Sequence, residues 1–176
     1  MQIETDRLLL RPLTIADLDE FLALHSAPEV VRTMGPCDRS TAVERLNNYE
    51  IEWQERGYGL VALVERATGR FVGRSGLKYW PQFDETEVGW VLHPDCWGRG
   101  FATEAARACL DWGFRDLDVA YITAMIVPDN ARSLRVAQRL GMTPLRSDHL
   151  SDLPVLVHSI NRPRRDGPEA SSHPIA

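Results

Sequence analysis

The sequence predicts an α/β fold of the α+β kind: a single domain whose mixed, mostly antiparallel sheet of about six to seven strands is flanked by about four helices. Three observations predict it. Apolar segments of strand and helix type follow one another in the order β-α-α-β-β-β-α-β-α-β-β. The three consecutive strands in the middle are joined by short turns, which makes them antiparallel neighbours. The helical pattern after Gly100 carries a side of small residues suited to close packing on a sheet.

The elements follow in order. Glu4 to Leu13 sets charged residues among leucines and reads as a strand. In TIADLDEFLAL, Ile15, Leu18, Phe21, Leu22 and Leu24 favour one helical side, and Thr14 with Asp17 forms a capping pair. Met34 to Ser40 carries turn residues and reads as a loop. A second helix is expected from Thr41, where Thr41 and Glu44 make a T-x-x-E capping box and Val43, Leu46, Tyr49 and Trp53 keep helical spacing. Gly57 and Gly59 precede the strand GLVALVER, and Ala67 to Arg70 turns the chain into FVGRSGLKYW. TEVGWVLH completes the meander.

Then come the glycine loop, a helix to about Leu117 and the strand Tyr121 to Val127. PDNARSLRVAQRLG is a short helix, capped by Asp129 or Asn130 and stopped by Gly141. Strands near Met142 to Arg146 and Leu153 to Ile160 end the domain, expected to span residues 1–160. The polar residues 161–176 are expected to be a disordered tail.

Composition excludes several classes. A net charge of −5 argues against a nucleic-acid or anionic-membrane partner. Cys37, Cys96 and Cys109 lack ligand spacing, and the histidines show no HxxH or HExxH pattern, so no metal site is expected. The opening residues include Glu4, Asp6, Arg7 and Arg11 and read as no signal peptide. No apolar run reaches the roughly 18 residues of a membrane span. The expected location is cytoplasmic.

The stretch DCWGRGFATEA carries the chemistry. Ala102, Ala105, Ala106, Cys109, Leu110, Gly113 and Leu117 form one helical face, with Glu104, Arg107, Asp111 and Arg115 outside; Asp111 and Arg115 are spaced for an i,i+4 pair. The helix therefore starts at Gly98 and Gly100, where free backbone N–H groups and the positive dipole end attract an anion such as a pyrophosphate. Arg99 adds charge at the rim. The plainer reading is a tight strand-to-helix turn. A Walker loop needs a lysine, and the chain's one lysine is Lys78. A dinucleotide fingerprint fails at its third glycine, which is Thr103.

Trp97 to Ala102, WGRGFA, resembles motif A of the Gcn5-related N-acetyltransferases (GNAT), [RQ]-x-x-G-x-[GA]. Trp97 stands in the R/Q place, Gly100 is the required glycine and Ala102 fills the last position. The W-G-x-G-x-A-T-E-A form is similar to the RimJ/RimL-like branch, which acetylates protein N-termini or small amines. ETDRLLLRPL, ETEVGWVL and VPDNARSLRVAQRLGM resemble the same branch, so the likeness spans about residues 2–160.

The resemblance implies acetyl-CoA as cosubstrate. Its pyrophosphate would lie on the N–H groups of Gly98, Arg99, Gly100, Phe101, Ala102 and Thr103. Its pantetheine would follow the strand holding Trp90, Val91, Leu92 and His93, with Asn130 on the far side. Gly89 supports a backbone approach independently, since glycine within a strand marks a bulge or close contact. A backbone N–H near Val91 or Leu92 would polarise the thioester carbonyl.

Direct transfer to a primary amine requires a base, and Glu87 is the first candidate, ahead of Asp84 and Glu85. Its plain reading is a solvated strand carboxylate. Many members of the family use a late tyrosine to protonate the thiolate, and no tyrosine follows Tyr121 here. The resemblance implies Ser133 in that place, with water as the other source, while Ser133 read alone is an ordinary first-turn helix serine. Cys96 reads as incidental. The acceptor, a small-molecule amine or a protein N-terminus, would lie between Ala27–Arg56 and Tyr79–Glu85. Glu29, Asp38, Glu44 and Asp84 there favour a cationic acceptor. A homodimer is compatible with this reading. The alternative is a non-catalytic CoA-binding or scaffold domain of the same fold.

Overall fold

The computed structural model describes residues 1–164. Thirteen regular elements follow one another: β1 (Ile3–Glu4), β2 (Leu8–Pro12), α1 (Leu18–Ser26), α2 (Pro28–Met34), α3 (Arg39–Arg56), β3 (Leu60–Glu65), β4 (Phe71–Trp80), β5 (Glu85–Leu92), α4 (Phe101–Asp116), β6 (Tyr121–Ile126), α5 (Ala131–Leu140), β7 (Thr143–Leu150) and β8 (Leu153–Asn161). The sheet has eight strands in the order β1-β2-β3-β4-β5-β6-β8-β7. The expected strand gains one because Thr5 to Arg7 interrupts the first: Thr5 N–H bonds to Leu8 O at 2.9 Å and splits off β1.

Five helices form, one more than expected. Pro28 opens α2 at its first turn, where its missing N–H costs nothing. The start of α3 also differs: Asp38, not Thr41, is the N-cap, its carboxylate accepting from Thr41 N–H at 2.8 Å. The Thr14–Asp17 pair does form, with Thr14 N–H donating to Asp17 at 3.0 Å. The chain stays packed just past 160, where Arg162 N–H bonds to Ala120 O at 2.8 Å. The expected tail from residue 165 onward lies outside the described residues.

Alternation along the strands builds two cores. Leu8, Leu10, Val61, Leu63, Val88 and Leu92 face α4 and α5. Leu60, Ala62 and Phe71 face α1, α2 and α3. The small face of α4 lets it lie close: a Cβ on Gly113 would come within 2.7 Å of Leu77 Cδ1. On the outer side Arg115 pairs with its neighbour Asp116 at 2.7 Å and not with Asp111.

Candidate active site

Every strand pair is antiparallel except β5 with β6, which touch at a single parallel pair, Glu87 with Thr123. Beyond that rung the two strands diverge. The phase of the β4–β5 ladder decides which groups face the opening. His93 N–H donates to Val72 O at 3.0 Å, so in an unbulged antiparallel register Val91 and Gly89 also turn their amides toward β4. The backbones of Trp90 and Leu92 therefore face the opening. Leu92 O is taken by the indole N–H of Trp97 at 2.9 Å, while its own N–H still points outward. Of the two candidates for a polarising N–H, Leu92 has the right direction and Val91 does not.

Glu87 stands at the apex. Its carboxylate accepts from Met125 N–H at 3.1 Å, standing in for a carbonyl at the point where the ladder stops, and from the Trp80 indole at 2.5 Å. Burial raises its pKa above the usual carboxylate range, against the pull of those two donors. The rivals have other work: Glu85 is buried in a bidentate pair with Arg146 at 2.7 and 2.9 Å, and Asp84 accepts from Tyr79 at 2.6 Å.

On the other face, Trp90 donates its indole N–H to Ser133 Oγ at 3.2 Å. The serine hydroxyl proton is left free to donate elsewhere. Asn130 caps α5, accepting from Ser133 N–H at 3.1 Å, which fixes the serine against Trp90. His93 is edge-on to Phe71, and burial lowers its pKa.

At the start of α4, Gly98 and Gly100 have φ of 76° and 85°, left-handed conformations that suit glycine. Among the described residues, the N–H groups of Gly98, Arg99, Gly100, Phe101, Ala102 and Thr103 have no protein acceptor. They form a cradle for an anion at a helix N-terminus. Arg99 is not a free rim charge. It pairs with Glu65 and lies 4.5 Å over the Phe101 ring.

Arg7, which the sequence did not single out for the site, also lies over that ring, at 4.7 Å. It donates to Arg99 O at 2.8 Å and pairs with Glu104 at 2.6 Å. Glu104 also accepts from Thr5 Oγ1 at 2.6 Å and Arg7 N–H at 2.9 Å. Although burial opposes it, these donors hold the Glu104 pKa below its usual range. The chain start thus braces the loop, a link across 97 positions that no local motif displays. Trp97 braces it too, with the Arg132 guanidinium 4.5 Å over its ring.

Residues 7–143 match the family described as Acetyltransferase (GNAT) domain. The chain belongs to the GNAT acetyltransferase family. Among its relatives is the uncharacterized protein YkkB of Bacillus subtilis, 31% identical over 89% of this chain and 94% of that one. The crystal structure of an acetyltransferase from Agrobacterium tumefaciens superposes with a TM-score of 0.82 at 31% identity, over 92% of this chain and 94% of that one. RimL, the ribosomal L7/L12 alpha-N-protein acetyltransferase solved with coenzyme A, shares the fold at 16% identity and a TM-score of 0.73, over 92% of this chain and 98% of that one.

The GNAT fold uses acetyl-CoA, and the residues present fit it: a cradle of free N–H groups for phosphates and an open strand edge for an amide-bearing arm. Among the described residues no cluster of His, Cys, Asp or Glu could hold a metal ion, and no helix is long and apolar enough to cross a membrane. Cys96 has no activated thiol, since burial and the adjacent Asp95 raise its pKa.

The acidic residues expected on the acceptor side differ in their surroundings. Glu29 and Glu44 stand exposed, Asp38 is a helix cap and Asp84 is bound by Tyr79.

Proposed function

We propose that this GNAT N-acetyltransferase moves the acetyl group of acetyl-CoA directly onto a primary amine, with Glu87 as general base. One observation carries the reading: the sheet parts at the Glu87–Thr123 rung, and the carboxylate with the raised pKa sits at that apex. A base needs a pKa close to working pH, and burial moves a carboxylate that way.

In this reading the pyrophosphate rests on the N–H groups of Gly98 to Thr103. The pantetheine amides pair with the backbone of Trp90 and Leu92, and the thioester lies toward the apex. Glu87 accepts a proton from the ammonium, directly or through water. The freed amine attacks the thioester carbonyl, whose oxygen draws on the outward N–H of Leu92. As the tetrahedral intermediate collapses, the C–S bond breaks and the attacking nitrogen sheds its second proton, leaving the acetyl amide. The thiolate takes a proton from Ser133 or water, and the nitrogen's proton makes good that loss through solvent. Ser133 supports the first choice by accepting from Trp90, which turns its own proton outward.

The test is calorimetric titration of acetyl-CoA into the purified protein, followed by a free-thiol assay over a panel of primary amines. Binding with thiol release in the presence of an amine is the expected result. Binding without release for any amine would overturn the catalytic reading, and absence of binding would remove the phosphate cradle.

A further inference from the structure

Arg74, in the middle of β4, is 7% exposed, and its hydrogen-bond partner is not an acid. The other buried charges are paired: Asp17 with Arg11 at 2.6 Å and Glu85 with Arg146 at 2.7 Å. Arg74 makes one hydrogen bond among the described residues, from Nε to His25 Nε2 at 3.3 Å, and no ion pair. His25 cannot supply the missing negative charge. It is fully buried, and burial together with Arg74 and Arg45 lowers its pKa to about 3, so the ring is neutral. Accepting at Nε2 places its proton on Nδ1, which has no partner. His25 thus holds the guanidinium by one edge and leaves the Nη fork bare. The sealed, unpartnered polar atoms among the described residues are His25 Nδ1 and His158 Nδ1, so the Nη groups still reach accessible space.

A buried cation without a directly paired carboxylate is expensive to keep. The acid that feels its charge, Glu87, lies further along the same face and is bound by Trp80 and Met125. Its surroundings say what it is for. Arg74 lies opposite Val91, and Glu87, Gly89 and Val91 follow one another along the same face of β5. Gly89 pairs with Gly76, so no side chain rises from the floor between Glu87 and Arg74. A Cβ on Gly89 would meet nothing within 4 Å, so the space above it is open. Lys78, opposite Glu87, is held elsewhere, 3.8 Å from Glu52 and 4.7 Å over the Trp80 ring.

We propose that Arg74 is the acceptor's anion site: the amine that Glu87 deprotonates belongs to a small aminocarboxylate whose carboxylate the Nη fork takes. A guanidinium fork matches a carboxylate with two parallel hydrogen bonds, which a lysine in its place cannot reproduce. The assignment rests on acetyl transfer at Glu87 and reverses the cationic acceptor that the acidic residues of the sequence favoured. A carboxylate brought to Arg74 supplies the missing counterion, so acceptor binding is coupled to relief of the buried charge.

The experiment compares thiol release from free amino acids and dipeptides with that from their carboxamides, using the wild type, Arg74→Gln and Arg74→Lys. The free acids should be preferred by about 10- to 100-fold in kcat/KM. Arg74→Gln should erase the preference through KM while acetyl-CoA affinity holds, and Arg74→Lys should restore part of it. Equal rates for acids and carboxamides in the wild type would overturn the proposal and leave acetyl transfer standing. An equal loss on both substrate sets in Arg74→Gln would also overturn it, since that marks a structural role. Thiol release with no amine at all would defeat the acetyl-transfer reading and this one with it. The acid–amide comparison needs no variant, so a misfolded Arg74→Gln does not blunt the test.

Discussion

Glu87→Gln keeps the shape of the side chain and removes its charge. The carboxylate takes hydrogen bonds from two donors, the Trp80 indole at 2.5 Å and Met125 N–H at 3.1 Å. An amide offers one oxygen, so its NH₂ must face one of these donors, and that donor loses its acceptor at about 1–3 kcal/mol. Burial works the other way. The raised pKa means that ionised Glu87 weakens the fold at neutral pH, and the neutral amide relieves that. The net loss of stability is therefore about 0–2 kcal/mol, read from urea unfolding.

The kinetic loss is larger, about 10²- to 10⁴-fold in kcat, as expected for a missing general base. Acetyl-CoA affinity should barely move, because the N–H cradle lies at the other end of β5. The pH profile adds an independent reading. Wild-type activity should fall as pH drops through the raised pKa of Glu87, and this acidic limb should vanish in the variant. Turnover at the wild-type rate, or an acidic limb that survives the substitution, would refute the base assignment.

Three further substitutions probe the support of the site. Glu104→Gln should cost about 1–2 kcal/mol, discounted for the half-exposed Arg7, and loosen acetyl-CoA binding by about 3- to 10-fold in calorimetry. Because the Glu104 pKa is lowered, its contribution is present at neutral pH and lost as pH falls through that pKa, so the two proteins should converge in acid unfolding series. Gly113→Val should destabilise by about 1–3 kcal/mol, its new atoms meeting Leu77 at 2.7 Å and Ile122 at 3.0 Å; an unchanged urea midpoint would contradict the packing of α4. Ser133→Ala should lower kcat about tenfold with the KM for acetyl-CoA unchanged, and an unaltered kcat would assign the thiolate's proton to water.

The meander, α4 and the glycine loop were legible because each carries its cause locally: turn residues, helical spacing and a bare backbone ahead of a helix. Helix α2 escaped because it is short, although Pro28 followed by apolar residues is a helix-start signal. Asp38, three positions before Thr41, also has cap spacing, and the T-x-x-E pattern at Thr41 masks it. The brace from Arg7 to Glu104 could not be read from spacing, since it exists only once β2 lies beside α4. The parting of β5 from β6 depends on which strand α4 returns to, another fact of topology. Arg74 did leave a trace: a charge in the middle of the apolar run FVGRSGL needs a reason, which strand periodicity alone does not supply.

The single rung between β5 and β6 makes the sheet two plates that share one hinge pin. Neither plate closes the other, so the unpaired edges facing the gap behave like the mouth of an unfinished seam. In the proposed reading, a ligand with amides along its length would complete that seam and become a structural member as well as a reactant. Its binding energy then adds to the rigidity of the fold, by about 2.7 kcal/mol at a free concentration of 100 times Kd. The shared core and the Glu87–Met125 bond already hold the two plates together, and a molecule seated between them would add a second tie.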